Sequence, residues 1–224
     1  MINEYIEVFK NFKSDIFESL YETFDMLFVS MIFTLFLGLL IGFLLYITRP
    51  DGIYENKIIY FIFSGIINII RSVPFILFII VIIPFNRLIL GTGFGVDASK
   101  IPLTLIGIST FARFVERDLL DVKKTIYETA YALGANPFQY FRYFLLKEAR
   151  SGLVLSFTST SISILSYSTV MGIIGGGGVG YLAISEGYYN FNYKLMWIII
   201  IFMILIVQAI QTIGNLIAKK YDKR

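Results

Sequence analysis

Long stretches without a single charge constrain this chain more than any other feature. They run from Met26 to Ile47, Ser72 to Asn86, Ser151 to Ser185 and Leu195 to Ala218. Crossing about 30 Å of hydrocarbon takes roughly 20 apolar residues in a helix, which satisfies its own backbone polar groups inside lipid. The run from Ile58 to Ile70 joins the one beginning at Ser72 through Arg71, which predicts one long span from about Ile58 to Pro84. Ile101 to Ala112 is short, but Pro102 is suited to open a helix that continues past Arg113 and Glu116 into the aqueous phase. The reading is an all-α polytopic membrane protein of five transmembrane helices. Composition agrees: only 16% of the residues are charged, against about 25% in a soluble domain.

Lysine and arginine set the orientation. Placing the C-terminus inside puts Arg49, Lys57, Arg117, Lys123, Lys124, Arg142, Lys147, Arg150, Lys219, Lys220, Lys223 and Arg224 in the cytoplasm, and leaves Lys10, Lys13, Arg87, Lys100 and Lys194 outside. Twelve against five predicts the N-terminus out and the C-terminus in, since cytoplasmic loops are the basic ones. Residues 1–23 carry Ile2, Tyr5, Ile6, Phe9, Ile16, Phe17, Leu20 and Tyr21 at helical spacing with acids between them. They read as an amphipathic helix at the outer surface or a plain run-in to the first span. Residues 24–224 form the transmembrane domain. The opening Met-Ile-Asn-Glu has no basic start, so the first span is expected to stay uncleaved.

Several functions are removed by what is missing. The chain has neither cysteine nor histidine, which excludes disulfides, thiolate and imidazole catalysis and the usual transition-metal ligands. No Gly-Lys pair is present, so no phosphate-binding loop is available for ATP. Gly175, Gly177 and Gly180 match the letters of a dinucleotide fingerprint without the strand and helix it needs. They read instead as the close-packed outer end of the fourth span. Asp25 lies at the edge of the first span and nothing acidic is expected deep in the others, so no proton or sodium relay is visible.

The longest cytoplasmic segment, 119–150, holds the most informative punctuation. Thr125 to Leu133 has helix-forming character, Gly134 suits a left-handed helix end, Asn136 an N-cap and Pro137 a first turn. Two short helices around a tight turn are predicted. Tyr127, Tyr131, Phe138, Tyr140, Phe141, Tyr143 and Phe144 supply more aromatic surface than a solvated connection uses, as a docking surface would.

Glu128-Thr129-Ala130, then Gly134, then Leu146 resembles the "EAA" loop of binding-protein-dependent ABC importer permeases, with Thr129, Phe144 and Lys147 departing from its pattern. The resemblance extends through Arg71-Ser-Val-Pro-Phe75, Ile83-Pro-Phe-Asn-Arg87, Ile101-Pro-Leu-Thr104, Ala112-Arg-Phe-Val-Glu116, Gly134-Ala-Asn-Pro137 and Ser166-Tyr-Ser168. It looks closest to the methionine importer permeases. What it implies is a type I importer permease fold, pairing as a homodimer on two ATPase subunits in the bacterial inner membrane. An extracytoplasmic binding (lipo)protein would deliver D- or L-methionine, and the partner ATPase would use ATP and Mg. No cofactor or nucleic acid is expected on this chain. The first short helix of the loop would be the coupling helix, with Glu128, Ala130, Gly134 and Ala135 contacting the ATPase. A permease for another amino acid or small polar solute, an ion-coupled carrier and a membrane enzyme are the rival readings.

The fourth span carries nine hydroxyl residues between Ser156 and Thr169, which serve either tight packing and bonds to their own backbone or the lining of a route. Ser163, Tyr167 and Met171, spaced i, i+4, i+8, are the pathway candidates. Arg71, inside a span, needs a partner or a substrate, and Asn68 one turn back could hydrate it.

Overall fold

The computed structural model describes residues 2–52 and 54–222; Lys223 and Arg224, counted above as cytoplasmic, lie outside them. Every regular element among the described residues is helical. The first two are α1 (Ile2–Asn11) and α2 (Lys13–Thr48). They meet at Phe12, and α2 then runs unbroken through residue 23. Val8, Phe9 and Phe12 pack with Ile16 and Leu20 against Leu195 and Ile199 of the last helix. The amphipathic face is therefore covered only in part: Ile2, Ile6, Phe17 and Tyr21 remain exposed.

The span expected from Ile58 to Pro84 is two helices. α3 (Lys57–Ser72) and α4 (Phe75–Leu90) are separated by Val73 and Pro74 and bent by 113°. Pro74 forces Val73 into an extended conformation, φ −84° and ψ 128°, and has no N–H to continue the ladder. Ser72 Oγ donates to the Asn68 carbonyl at 2.7 Å within the last turn of α3.

α5 (Val96–Leu120) begins before Pro102, not at it. A proline inside a helix leaves the carbonyl four residues back without its donor. Asn86 of α4 replaces it, its Nδ2 donating to the Ala98 carbonyl at 2.8 Å. α5 is less apolar than the other long helices because protein, not lipid, surrounds most of it: Leu103, Phe111, Ala112, Val115 and Leu119 are all at most 1% exposed. α2 covers one side through a seam of small residues, Ser30, Thr34, Gly38 and Gly42. A Cβ at Gly42 would meet Val115 Cβ at 2.5 Å, so the two backbones approach only because none is there.

α6 (Lys124–Ala132) follows. α7 (Pro137–Gln139), a π-helical stretch (Tyr140–Leu145) and α8 (Leu146–Ile173) together form one helix of 37 residues, Pro137–Ile173. The second helix predicted after the turn is thus the extended foot of the fourth span. α9 (Gly178–Leu182) runs into a second π-helical stretch (Ala183–Tyr189), and α10 (Tyr193–Tyr221) closes the chain. The Gly178 amide donates to Glu22 Oε2 at 2.7 Å and the Val179 amide to Thr23 Oγ1 at 2.9 Å, tying the glycine-rich end to α2. α2, the 37-residue helix and α10 are each long and apolar enough to cross a membrane, and the bent α3–α4 pair is a broken fourth. α5, of 25 residues, has the length, about 37 Å at 1.5 Å per residue.

Candidate functional site

The turn after α6 has the geometry its residues predict. Gly134 takes φ +69°. Its N–H donates to the Tyr131 carbonyl at 2.9 Å, and the Ala135 N–H donates to the Ala130 carbonyl at 3.0 Å. This pair of bonds is a Schellman motif. A capping box follows at once: Asn136 Oδ1 accepts from the Gln139 N–H, and Gln139 Oε1 accepts from the Asn136 N–H, both at 2.9 Å. Two helix ends are thus closed within six residues, which makes the connection a rigid corner.

Ala130 is corrected by its burial. At 1% exposure it packs with Tyr140 and Leu145 and seats α6 on its own chain, leaving no side-chain surface for a partner. Glu128 and Gly134 are exposed and Ala135 is half-buried. The aromatic set divides in the same way. Tyr140 is buried, sharing a hydrogen bond with the Tyr46 hydroxyl at 3.3 Å, and Phe141 lies against Phe43 with centroids 3.6 Å apart. These rings fasten the foot of the 37-residue helix to α2. Tyr131, Leu133 and Phe138 remain 76%, 71% and 67% exposed around the corner, an apolar surface that reads as a docking face.

Just behind the corner, α5 is held by buried polar contacts that the sequence reading missed. Glu116 and Asp118 are 6% and 8% exposed rather than solvated. Arg113 Nη1 meets Glu116 Oε2 at 2.6 Å, while its Nη2 donates to the Ser64 hydroxyl, the Ser64 carbonyl and Asn68 Oδ1 of α3. Asn68 therefore serves Arg113, not Arg71. Asp118 takes Arg117 Nη2 at 2.9 Å on one oxygen and Ser156 Oγ at 2.6 Å on the other. The Arg113 and Glu116 pair at i, i+3 was the available signal. α5 is thereby pinned to α3 and α8 at the level from which α6 departs.

On α8, Leu155, Ser159, Ser166 and Ile173 are exposed and form one uncovered stripe. Ser163 is half-buried beside it, with Oγ donating to the Ser159 carbonyl at 3.0 Å. Tyr167, also half-buried, packs on Phe75 of α4 with ring centroids 4.5 Å apart. Met171 is 3% exposed and packs among Leu103, Ile164 and Leu165. The reason is rotation: eight residues advance about 80° beyond two full turns, which carries Met171 off the open face. Ser159, Ser161, Ser163 and Ser166 all donate to backbone carbonyls four residues back, so packing and an open hydroxyl face coexist on one helix.

These features, a bundle of membrane-length helices with one doubly capped corner, are those of a polytopic membrane protein. Residues 35–224 match the family of binding-protein-dependent transport system inner membrane components, and the chain belongs to that family. It is 37% identical over 188 residues to the "Probable D-methionine transport system permease protein MetI" of Vibrio cholerae, covering 84% of each chain. To the Yersinia pestis protein described as a D-methionine transport system permease it is 45% identical over 152 residues, 68% of this chain and 70% of that one. A solved inward-facing structure of the MetNI methionine ABC transporter matches with a TM-score of 0.89 at 38% identity, covering 93% of this chain and 96% of that one. An amino acid ABC transporter crystallised with histidines shares the fold, with a TM-score of 0.79 at 17% identity. The chain is thus a multi-pass permease of a transport system and not an enzyme.

Proposed function

We propose that this chain, paired with a second copy, forms the membrane route for methionine in an ATP-driven importer. Two separate ATPase subunits bind ATP and Mg, and an extracytoplasmic binding protein delivers the solute. The substrate is supported by the relatives described as methionine permeases. The single observation that carries the mechanism is the doubly capped corner at 130–139, exposed at Tyr131, Leu133, Gly134 and Phe138, with Glu128 exposed just before it on α6. A rigid apolar protrusion pinned to three spanning helices transmits a push, where a soft loop would absorb it. Ala135 adds backbone to the same surface. ATP binding brings the two ATPases together, moves the corners with them and opens the route outward; hydrolysis resets it. Orientation with the N-terminus out and the C-terminus in is supported by the excess of lysine and arginine on the side of α6.

Reconstitution with the cognate ATPase and binding protein tests the reading. Labelled methionine should enter proteoliposomes in an ATP-dependent way. Uptake of an unrelated solute with none of methionine would replace the substrate, and uptake driven by an ion gradient without ATP would replace the mechanism.

A further inference from the structure

Arg71 is exposed in the last turn of α3, and among the described residues it makes no ion pair, hydrogen bond or ring contact. It lies 14 residues beyond Lys57, about 21 Å along the helix, in the apolar α3–α4 pair read as a broken span. A guanidinium is not left against hydrocarbon there without an anion or water. Its position is specific. Four residues on, across the 113° break, Phe75 packs on Tyr167 of α8, the helix whose open stripe carries Ser159 and Ser166.

Elimination narrows the anion. Of the acids within or at the edge of the spanning helices, Asp25 holds Lys100 at 2.6 Å, Glu116 holds Arg113 at 2.6 Å and Asp118 holds Arg117 at 2.9 Å. Glu22 of α2 accepts from the Gly178 amide at 2.7 Å, and Asp97 of α5 holds Lys100 at 2.7 Å. We infer that Arg71 receives the carboxylate of a zwitterionic solute as it passes the α3–α4 break; this rests on the permease reading and deepens it. The planar fork of arginine matches a carboxylate with two parallel hydrogen bonds. The last carbonyls of α3, which the broken helix leaves without intrahelical donors, and the α8 hydroxyl oxygens are acceptors suited to an ammonium.

The native chain has no cysteine, which allows a charge-restoration test in the assembled transporter with partners freed of reactive thiols. Arg71→Gln and Arg71→Cys should still co-purify with the ATPase but lose methionine uptake by at least about tenfold, the worth of one charge-assisted contact, while Arg71→Lys retains the larger part. Treating Arg71→Cys with an aminoethyl thiosulfonate should restore uptake, and a sulfonatoethyl reagent of similar size should not. Methionine supplied by the binding protein during ATP turnover should slow the modification. Wild-type uptake by Arg71→Gln, or equal restoration by both reagents, overturns the inference. Restoration by the cationic reagent with no slowing by methionine also overturns it, assigning Arg71 to a lipid phosphate or a structural pair. A wild-type complex that takes up no amino acid refutes the permease reading itself, a result distinct from any of these.

Discussion

A proline in the second turn of α5 leaves one carbonyl without its helical donor, and a single side chain makes good the loss. Asn86, 1% exposed, donates to the Ala98 carbonyl. Asn86→Leu keeps the branched shape and removes the donor, so it should destabilise the purified permease by about 1–3 kcal/mol, the cost of a buried unsatisfied acceptor. Thermal unfolding in detergent measures this; an unchanged midpoint would mean that water replaces the amide. The pairing joins residues 12 apart through a contact that no local pattern encodes, which is why the sequence placed the start of α5 at Pro102. Asp118 escaped for the same reason, since an acid near the end of a predicted span reads as solvated until its partner, Ser156, is located in space.

At the scale of elements, what was legible is what depends on nearest neighbours. Leu133, Gly134, Asn136 and Pro137 each favour one local conformation, and together they define the corner before any tertiary contact is known. Burial was not legible there: Ala130 and Glu128 are two residues apart, and only the packing of α6 on Tyr140 and Leu145 decides which faces inward. The α3–α4 break lay between, because Pro74 marks a kink without giving its 113°. The α2–α5 seam yields a sharper expectation. Gly42→Leu places a side chain where Val115 Cβ and the Ala112 carbonyl already lie within 2.6 Å of a Cβ. Overpacking of this kind costs typically about 1–3 kcal/mol, so the variant should unfold at lower temperature and yield less assembled complex. Gly65→Ala, where a Cβ meets nothing within 4 Å, should change neither quantity and serves as the control.

The whole molecule is a set of long helices gathered around α5, with a capped corner protruding at one end. The orientation expected from its charge distribution can be read chemically. Single cysteines at Lys123 or Lys220 should be shielded from an impermeant thiol reagent in intact cells, and one at exposed Asn190 should react; the reverse pattern would invert the topology. Asn86 is buried and reports nothing in such an assay. The central claim is mechanical: the 130–139 corner transmits ATPase motion to the spans. Gly134 holds φ +69° with open space around its missing Cβ, so Gly134→Val acts through backbone strain of about 1–2 kcal/mol and not through a clash. Glu128→Ala leaves the turn intact and removes an exposed charge. The decisive measurement is methionine transported per ATP hydrolysed in proteoliposomes, with ATPase co-purification recorded beside it. Both variants should insert normally and fall in at least one of the two quantities, Gly134→Val further than Glu128→Ala. If both substitutions leave both quantities at the wild-type level, the corner is only a connector and the coupling account fails.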